Sequence, residues 1–532
     1  MIHQTKVQKI LSEIVNNMTT IKTLGQEKLF FSKWNDYFSD KIKYSTKKDF
    51  KEALNNSLIV TSISTLISII LAYILAFTIN RTPIKHRAVL QMLITVPMLI
   101  PSISHGLGLI NLFGNNGIIS KMFDFNIIGP IGIIIGSVLY SFPIAFLMFC
   151  DGFNYVDNNL YNTAKVLGLN KWQTFKKVTF CYMKNPLISA VFAVFTMIFT
   201  DYGVPLAVGG KFLTLPVYLY KEVIGLLNFS SGTIIGLFLL IPSFISFLFD
   251  YLSKDFSNGN YNKEFNFENN KKRDIILTIF VYLIIGIIFL IIGSFIYFAF
   301  IDNPRLNPVF SLKHFEYVLN NNILKFIINS LLISIFTAII GTIITYFTAY
   351  STARINNKVS KIIHLLAISS LAIPGIVLGL SYTISFSGTF IYNTFIILVI
   401  VNIIHFMASP YLMAYNALKK VDPNYEVVAK TYNINTFKII KDVIIPCTKK
   451  TIREMICYFF VNSMITISAV AFLFNTRTMP LSLLINTYEG NMLLGEAAII
   501  SIIILFFNII AKSVVYLINR KENRSSKNAI NN

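Results

Sequence analysis

Charge is scarce in this chain, and acidic charge is scarcer still. Only 13% of its 532 residues are charged, with 25 Asp and Glu against 46 Lys and Arg. Soluble domains carry about a quarter charged residues, so water is not the solvent this sequence suits. The four cysteines, Cys150, Cys181, Cys447 and Cys457, have neither paired nor metal-type spacing. They suggest no disulfide framework and no metal site, and read as small apolar fillers in or beside apolar segments. There is no G-x-x-x-x-G-K-[ST] stretch, which excludes the phosphate-cradling loop of an ATPase. Nor does any nucleophile and base, or any metal-spaced cluster, support a membrane enzyme. No cofactor is expected, and the first 50 residues lack the apolar run of a signal peptide.

What the chain has is hydrophobic length. Its residues are 54% hydrophobic with mean hydropathy +0.63, and apolar runs of about 20 residues recur, the length that crosses a hydrocarbon core. Lipid offers no partner to backbone N–H and C=O groups, so such runs must be helical. The fold class is therefore an all-α polytopic membrane protein. Eleven spans are expected, near 57–79, 88–112, 127–150, 187–208, 231–252, 274–300, 325–351, 361–386, 391–415, 451–475 and 493–518. The net charge of +21 then reads as positive-inside bias, not as a nucleic-acid footprint. Loops 80–87, 151–186, 253–273, 352–360 and 416–450 hold most of the loop lysines and arginines, while 113–126 and 387–390 carry one lysine between them. The basic loops and the tail 519–532 thus face the cytoplasm. This places residues 1–56, with ten lysines and six acidic residues, outside as a polar segment without a helix.

The two halves repeat. Asn56-Ser57-Leu58 recurs as Asn329-Ser330-Leu331, Arg81 as Arg354, Pro101 as Pro374 and Gly106 as Gly379, all at a spacing of 273. Beyond the next loop the spacing is 265, where Asp157, Ala164, Lys165, Trp172, Lys176 and Val178 match Asp422, Ala429, Lys430, Phe437, Lys441 and Val443. Two parallel units follow, 57–252 and 274–518, joined by a polar cytoplasmic linker at 253–273. Parallel repeats of this kind are related by an axis along the membrane normal, with a shared path most simply placed between them. The second unit has an extra leading span, 274–300; the first is either shorter than its twin or begins late.

Within loop 151–186 lies YNTAKVLGLNKWQTFKKV (161–178), and within 416–450 its twin YEVVAKTYNINTFKIIKDVIIP (425–446). Each pairs helix-forming stretches across a break, at Gly168 and at Asn433, residue types that tolerate positive φ. The apolar side chains there are too many for a solvated loop and the lysines too many for a buried one. A bent amphipathic helix that docks onto a partner satisfies both.

These paired loops resemble the EAA loops of ABC importer permeases, with pattern E-A-A-x3-G-x9-I-x-L-P. By position the first copy reads Asn162-Thr163-Ala164, Gly168, Val178, Phe180, Cys181, and the second Val427-Val428-Ala429, Asn433, Val443, Ile445, Pro446. The motif glutamate is missing from both, Glu426 lying one place off. The resemblance covers residues 50 to 518, and two fused halves look like the ferric-iron, thiamine and 2-aminoethylphosphonate importers. Stretches 199–250 and 464–475 look most like the 2-aminoethylphosphonate permeases. The resemblance implies a bacterial cytoplasmic membrane, two copies of a separate ABC ATPase subunit, and an extracytoplasmic solute-binding protein. ATPase coupling falls to Ala164, Gly168, Trp172, Val178, Ala429, Asn433, Phe437, Val443 and Pro446, with one copy of this chain per transporter. Pro101, Gly106, Pro374 and Gly379 are path candidates where helices open, or else positions of kinking and close packing. Asp201 lies just before Gly203 and Pro205; it either lines the path or ends a helix. An ion-coupled secondary transporter is the competing class, and would need buried ionisable residues, of which Asp201, His105 and His405 are the candidates.

Overall fold

In a computed structural model of the protein, the described residues are 27–531 apart from 115–116, 118, 120–126, 155–157, 254–269, 303–307 and 356. The first half comprises α1 (Glu27–Arg81), α2 (Arg87–Ile94), α3 (Ser102–Phe113), α4 (Pro130–Asn154), α5 (Asn158–Val166), α6 (Lys171–Thr174), α7 (Phe180–Phe199), α8 (Gly203–Val208), α9 (Leu215–Tyr220) and α10 (Phe229–Ser253). Helix α11 (Lys271–Phe300) and a two-residue antiparallel pair, β1 (Ile301–Asp302) with β2 (Val309–Phe310), lead to α12 (Lys313–Asn320). The second half follows: α13 (Ile323–Arg354), α14 (Lys358–Ser369), α15 (Gly375–Phe386), α16 (Phe395–Phe406), α17 (Ala408–Lys420), α18 (Asn424–Thr431), α19 (Thr436–Ile439), α20 (Ile445–Ile465), α21 (Leu481–Gly490) and α22 (Leu494–Asn531).

The repeat extends to packing and hydrogen bonds. In one half α1 packs on α4 and α7, and in the other α13 packs on α16, α17 and α20. Ser57 Oγ accepts the backbone N–H of Leu215 at 2.7 Å, and Ser330 Oγ that of Leu481 at 2.6 Å. The neighbouring amides repeat the pattern: Asn56 Nδ2 donates to Leu213 O at 3.0 Å, and Asn329 Nδ2 to Met479 O at 3.1 Å. Such bonds satisfy backbone groups where no water reaches and pin each re-entrant segment to its long helix.

Each half exchanges its last helix with the other: α10 packs on α15, and α22 packs on α3. One core spans both halves, running from Leu99–Leu112 and Phe199–Val223 to Ile376–Leu380 and Val461–Leu505. The remaining buried clusters are separate, one around Ala72, Phe146 and Phe149, the other around Tyr346, Tyr411 and Met455. Both separate clusters lie toward the ends of α1 and α13 that meet the basic loops. The halves are therefore fused at one end and independent at the other.

Six unbroken helices are long and apolar enough to cross a membrane, or eight when two bent pairs each count as one span. The eleven expected spans exceed this because several are broken. Near 88–112 the chain runs through α2, a 3-10 turn at Val96–Leu99 and α3; near 361–386 the two pieces meet at 109°. The residues before Pro101 and Pro374 are extended, as steric conflict with the proline ring requires. Near 391–415 the bend is 55°, and the apolar part of α10 is Phe229–Ile245. Helix α20 begins with the polar IPCTKKTIRE. A second expectation is corrected outright: residues 27–56 are helical and continue without a break into the first span. Hydrophobic patterning missed this because the segment is charged, while the 55-residue helix is carried by the apolar part that follows it.

Candidate functional site

The two basic loops fold into matching hairpins. Helix α5 ends at Gly168 with φ 65°, and α18 ends at Asn433 with φ 56°. Around the first, Leu169 N donates to Ala164 O and Gly168 N to Lys165 O, both at 3.0 Å. Around the second, Ile434 N donates to Ala429 O at 2.9 Å and Asn433 N to Lys430 O at 3.1 Å. Each set is a Schellman closure, which needs a left-handed residue at the turn. The short second arms start on an asparagine cap. Asn170 and Gln173 form a reciprocal capping box, and Asn435 Oδ1 accepts from Phe437 N at 2.9 Å. Each arm then widens into a π-turn, Phe175–Thr179 and Ile440–Ile444, before entering α7 and α20.

The site residues divide by direction. Ala164, Val178 and Ala429 are buried inside their hairpins, where Ala164 and Val178 pack with Leu160, Tyr161 and Leu169. Val443 is half-buried; Pro446 is exposed in the first turn of α20. Trp172 and Phe437, equivalent across the repeat, are 70% and 65% exposed. Beside them stand Val166 at 87%, Leu167 at 68% and Tyr432 at 76%. Tyr432 was not singled out from sequence, although its place beside the turn residue was signal enough. An open groove of about 540 Å³, lined by Tyr425, Val428, Ile434 and Val443 among others, lies against the second hairpin. Cys181 and Cys447 are also exposed, so they are not the apolar fillers expected; Cys150 is buried, and all four are free thiols.

The path candidates gather at the other end. Twenty residues of α7 at 1.5 Å each carry the chain about 30 Å from the first hairpin, and there it breaks after Phe199. Asp201 ends that helix and caps the next: its carboxylate accepts from Gly203 N at 3.2 Å and Val204 N at 3.1 Å, with Ser102 as a further partner. Its oxygens are committed to the fold. Gly106 and Gly379 allow close packing. A Cβ on Gly106 would lie 2.7 Å from Ala207 Cβ and 3.4 Å from Val204 O, and one on Gly379 would lie 2.6 Å from Ala469 O. Val204 and Ala469 are themselves repeat mates. Pro101 and Pro374 cap α3 and α15 at the break. His105 is buried, with Nδ1 3.3 Å from Pro101 O and its ring edge-on to Tyr140. His405 packs against Phe406 and beside Gly375. The sequence did not reveal the closure between the halves: Tyr202 stacks on Tyr220 at 5.1 Å, Tyr220 leans on Phe472, and Asn486 Nδ2 donates to Tyr202 Oη at 3.1 Å. Tyr220 and Asn486 also share a hydrogen bond; they are repeat mates, which puts this cluster on the axis between halves.

Fold and site together define a class: a two-fold helical membrane permease with a docking hairpin on each half. The comparisons agree. The family described as binding-protein-dependent transport system inner membrane component matches residues 64–258 and again 341–524, and the chain belongs to it. A second model, the ABC transporter transmembrane region, matches residues 1–99. The chain is similar to the putative ferric transport system permease protein FbpB 1 of Haemophilus influenzae, at 24% identity over 405 residues, 72% of this chain and 64% of that one. It is similar also to the ferric transport system permease protein FbpB of Actinobacillus pleuropneumoniae, at 23% over 426 residues, 76% of this chain and 62% of that one. The thiamine transport system permease protein ThiP of Brucella suis matches at 23% over 146 residues, 26% of this chain and 27% of that one. The match thus spans somewhat under two thirds of the length of the two ferric relatives.

Proposed function

We propose that the chain is the permease subunit of an ATP-driven importer that moves a small solute, handed over by an extracytoplasmic binding protein, into the cytoplasm. The observation that carries this is the pair of hairpins, set 265 residues apart and presenting Trp172 and Phe437 outward from equivalent places. One separate ATPase subunit would sit under each hairpin, and one copy of this chain would serve the transporter. The hairpins and the C-terminal end would face the cytoplasm. A shared core remote from the hairpins and separate cores beside them suit an inward-open state, with Tyr202, Tyr220 and Asn486 closing the outer end. Closure of the ATPase pair would draw the hairpins together and shift the population toward an outward-open state.

For the substrate, two readings compete. Ferric iron is favoured by the names of the two relatives matched over more than 400 residues; 2-aminoethylphosphonate is favoured by the resemblance in 199–250 and 464–475. We place ferric iron first. Purifying the neighbouring binding protein and identifying its ligand decides between them: ferric iron supports the first, an aminophosphonate the second, and thiamine overturns both. Uptake into vesicles that hold ATP and the co-purified ATPase should then follow ATP. Uptake driven by a proton or sodium gradient without ATP would overturn the importer reading in favour of a secondary transporter.

A further inference from the structure

Each docking hairpin is fastened to the end of a long helix through an arginine, and the two fastenings differ chemically. Arg81 ends α1 and Arg354 ends α13, at the repeat spacing of 273. Both bridge to the backbone that leads into the hairpin: Arg81 Nη2 donates to Phe153 O at 3.1 Å and Arg354 Nη2 to Val421 O at 3.0 Å. Beyond that they diverge. The Arg81 guanidinium lies over two rings, 5.3 Å from the centre of Phe153 and 5.6 Å from that of Tyr161. Arg354 instead places Nε 3.0 Å from Glu426 Oε1, in an ion pair whose side chains are only 10% and 18% exposed. Tyr350 Oη donates to the same carboxylate oxygen at 3.1 Å. Tyr161 and Glu426 occupy the same place in the repeat, 265 residues apart, in the helix that forms the first arm of each hairpin. Cation and ring attract through the ring quadrupole, whereas a buried ion pair holds only while both partners are present, since either charge left alone is strongly unfavourable.

We propose that Arg354 and Glu426 form a latch that holds the second hairpin rigidly on α13 and transmits its movement, a positioning role that Arg81 and Tyr161 fill for the first hairpin without a carboxylate. The transmission half of this rests on the importer reading above; the holding half does not. It also gives Glu426 a role that the loop pattern, which wants its glutamate one place later, does not assign.

Amide hydrogen exchange of the chain alone in lipid nanodiscs, followed by uptake per ATP with the co-purified ATPase, tests it. Glu426→Gln should speed exchange over 424–434 by about tenfold and leave 158–169 unchanged, because local opening follows local contacts. Glu426→Tyr, which copies the first half, should bring exchange back to within about threefold of wild type by offering Arg354 a ring. Arg354→Met combined with Glu426→Leu removes both charges and guards against simple misfolding, and should exchange as fast as Glu426→Gln. Unchanged exchange in Glu426→Gln and in the double variant overturns the latch. Faster exchange with normal uptake per ATP overturns transmission and leaves a structural tie. If the wild type shows the exchange pattern but no ATP-dependent uptake, the importer reading falls and the latch stands.

Discussion

The two halves of this protein solve the same packing problems with different residues, and the differences show which features the architecture requires. Where α3 meets the turn after α7, Ser102 faces Gly203; where α15 meets the equivalent turn, Gly375 faces Ser468. One small and one hydroxyl-bearing residue meet at each place, on opposite sides. The exchanged last helices differ likewise. At the α22–α3 contact, Ser104 and Ser501 hydroxyls bond at 2.8 Å, and Asn508 Nδ2 donates to Leu99 O at 2.8 Å. At the α10–α15 contact, the mates of Ser104 and Ser501 are Val377 and Gly236, which touch through apolar atoms. Close approach is thus what both interfaces need, while polarity is confined to one.

The sharpest way to break this comparison is at the small-residue exchange. Gly203→Ser alone puts a side chain into Ser102 and the backbone of α3, and overpacking costs about 1–3 kcal/mol; thermal unfolding in detergent should report the loss. Adding Ser102→Gly copies the second half and should recover most of it, with a coupling measurable in a double-mutant cycle. Recovery will be partial, because Ser102 also bonds Asp201. Without any recovery, the two turns are not equivalent.

Next in size are the hairpin turns. Gly168→Val and Asn433→Val each force a β-branched residue into the left-handed region, at about 1–2 kcal/mol. The loss should be larger at Gly168, since Asn433 is already a side-chain-bearing residue held at φ 56°. Reduced co-purification of the ATPase and reduced ATP-dependent uptake are expected in that order of severity; unchanged coupling in both would remove the hairpins from the mechanism.

A smaller effect should follow pH at a feature that only the second half owns. His314 on α12 bonds Glu496 at the start of α22 at 3.0 Å, and this carboxylate raises its pKa above the usual histidine value. The stabilisation is fully present below about pH 6.5, the unfolded value, and is lost as pH rises through the raised folded value. The difference in melting temperature between wild type and His314→Gln should therefore shrink between pH 6 and pH 9. A constant difference would mean that the contact is mere packing. Smallest of all should be Asp201→Asn, which keeps one accepting oxygen for the cap at Gly203 and Val204; near-normal uptake would confirm a capping role, and abolished uptake with an unchanged melting temperature would return Asp201 to the path.

Membrane class, the two-fold repeat and the positions of both bends could be read directly, each for a local reason. Apolar run length reports the solvent, repeat spacing survives divergence, and Gly168 and Asn433 sit where a helix must turn. The span count was less legible, because Pro101 and Pro374 break helices whose hydropathy runs on unbroken across them. Asp201 could be read either way until its two backbone donors were seen. Nothing local marked Tyr202, Tyr220 and Asn486 as neighbours: residues 202 and 486 are far apart in the chain and meet only because the last helices cross between halves.

By itself, then, the sequence determined the lipid solvent, the helical class, the doubling of the unit and the paired hairpins, since all of these follow from composition and short-range stereochemistry. Only the tertiary structure decided that the halves share one core at one end and keep separate cores at the other, that Asp201 caps a helix, and that Arg354 grips Glu426 while Arg81 lies on rings. Those outcomes depend on which side chains are brought within a few ångströms by helices distant in sequence, and no local pattern encodes that distance.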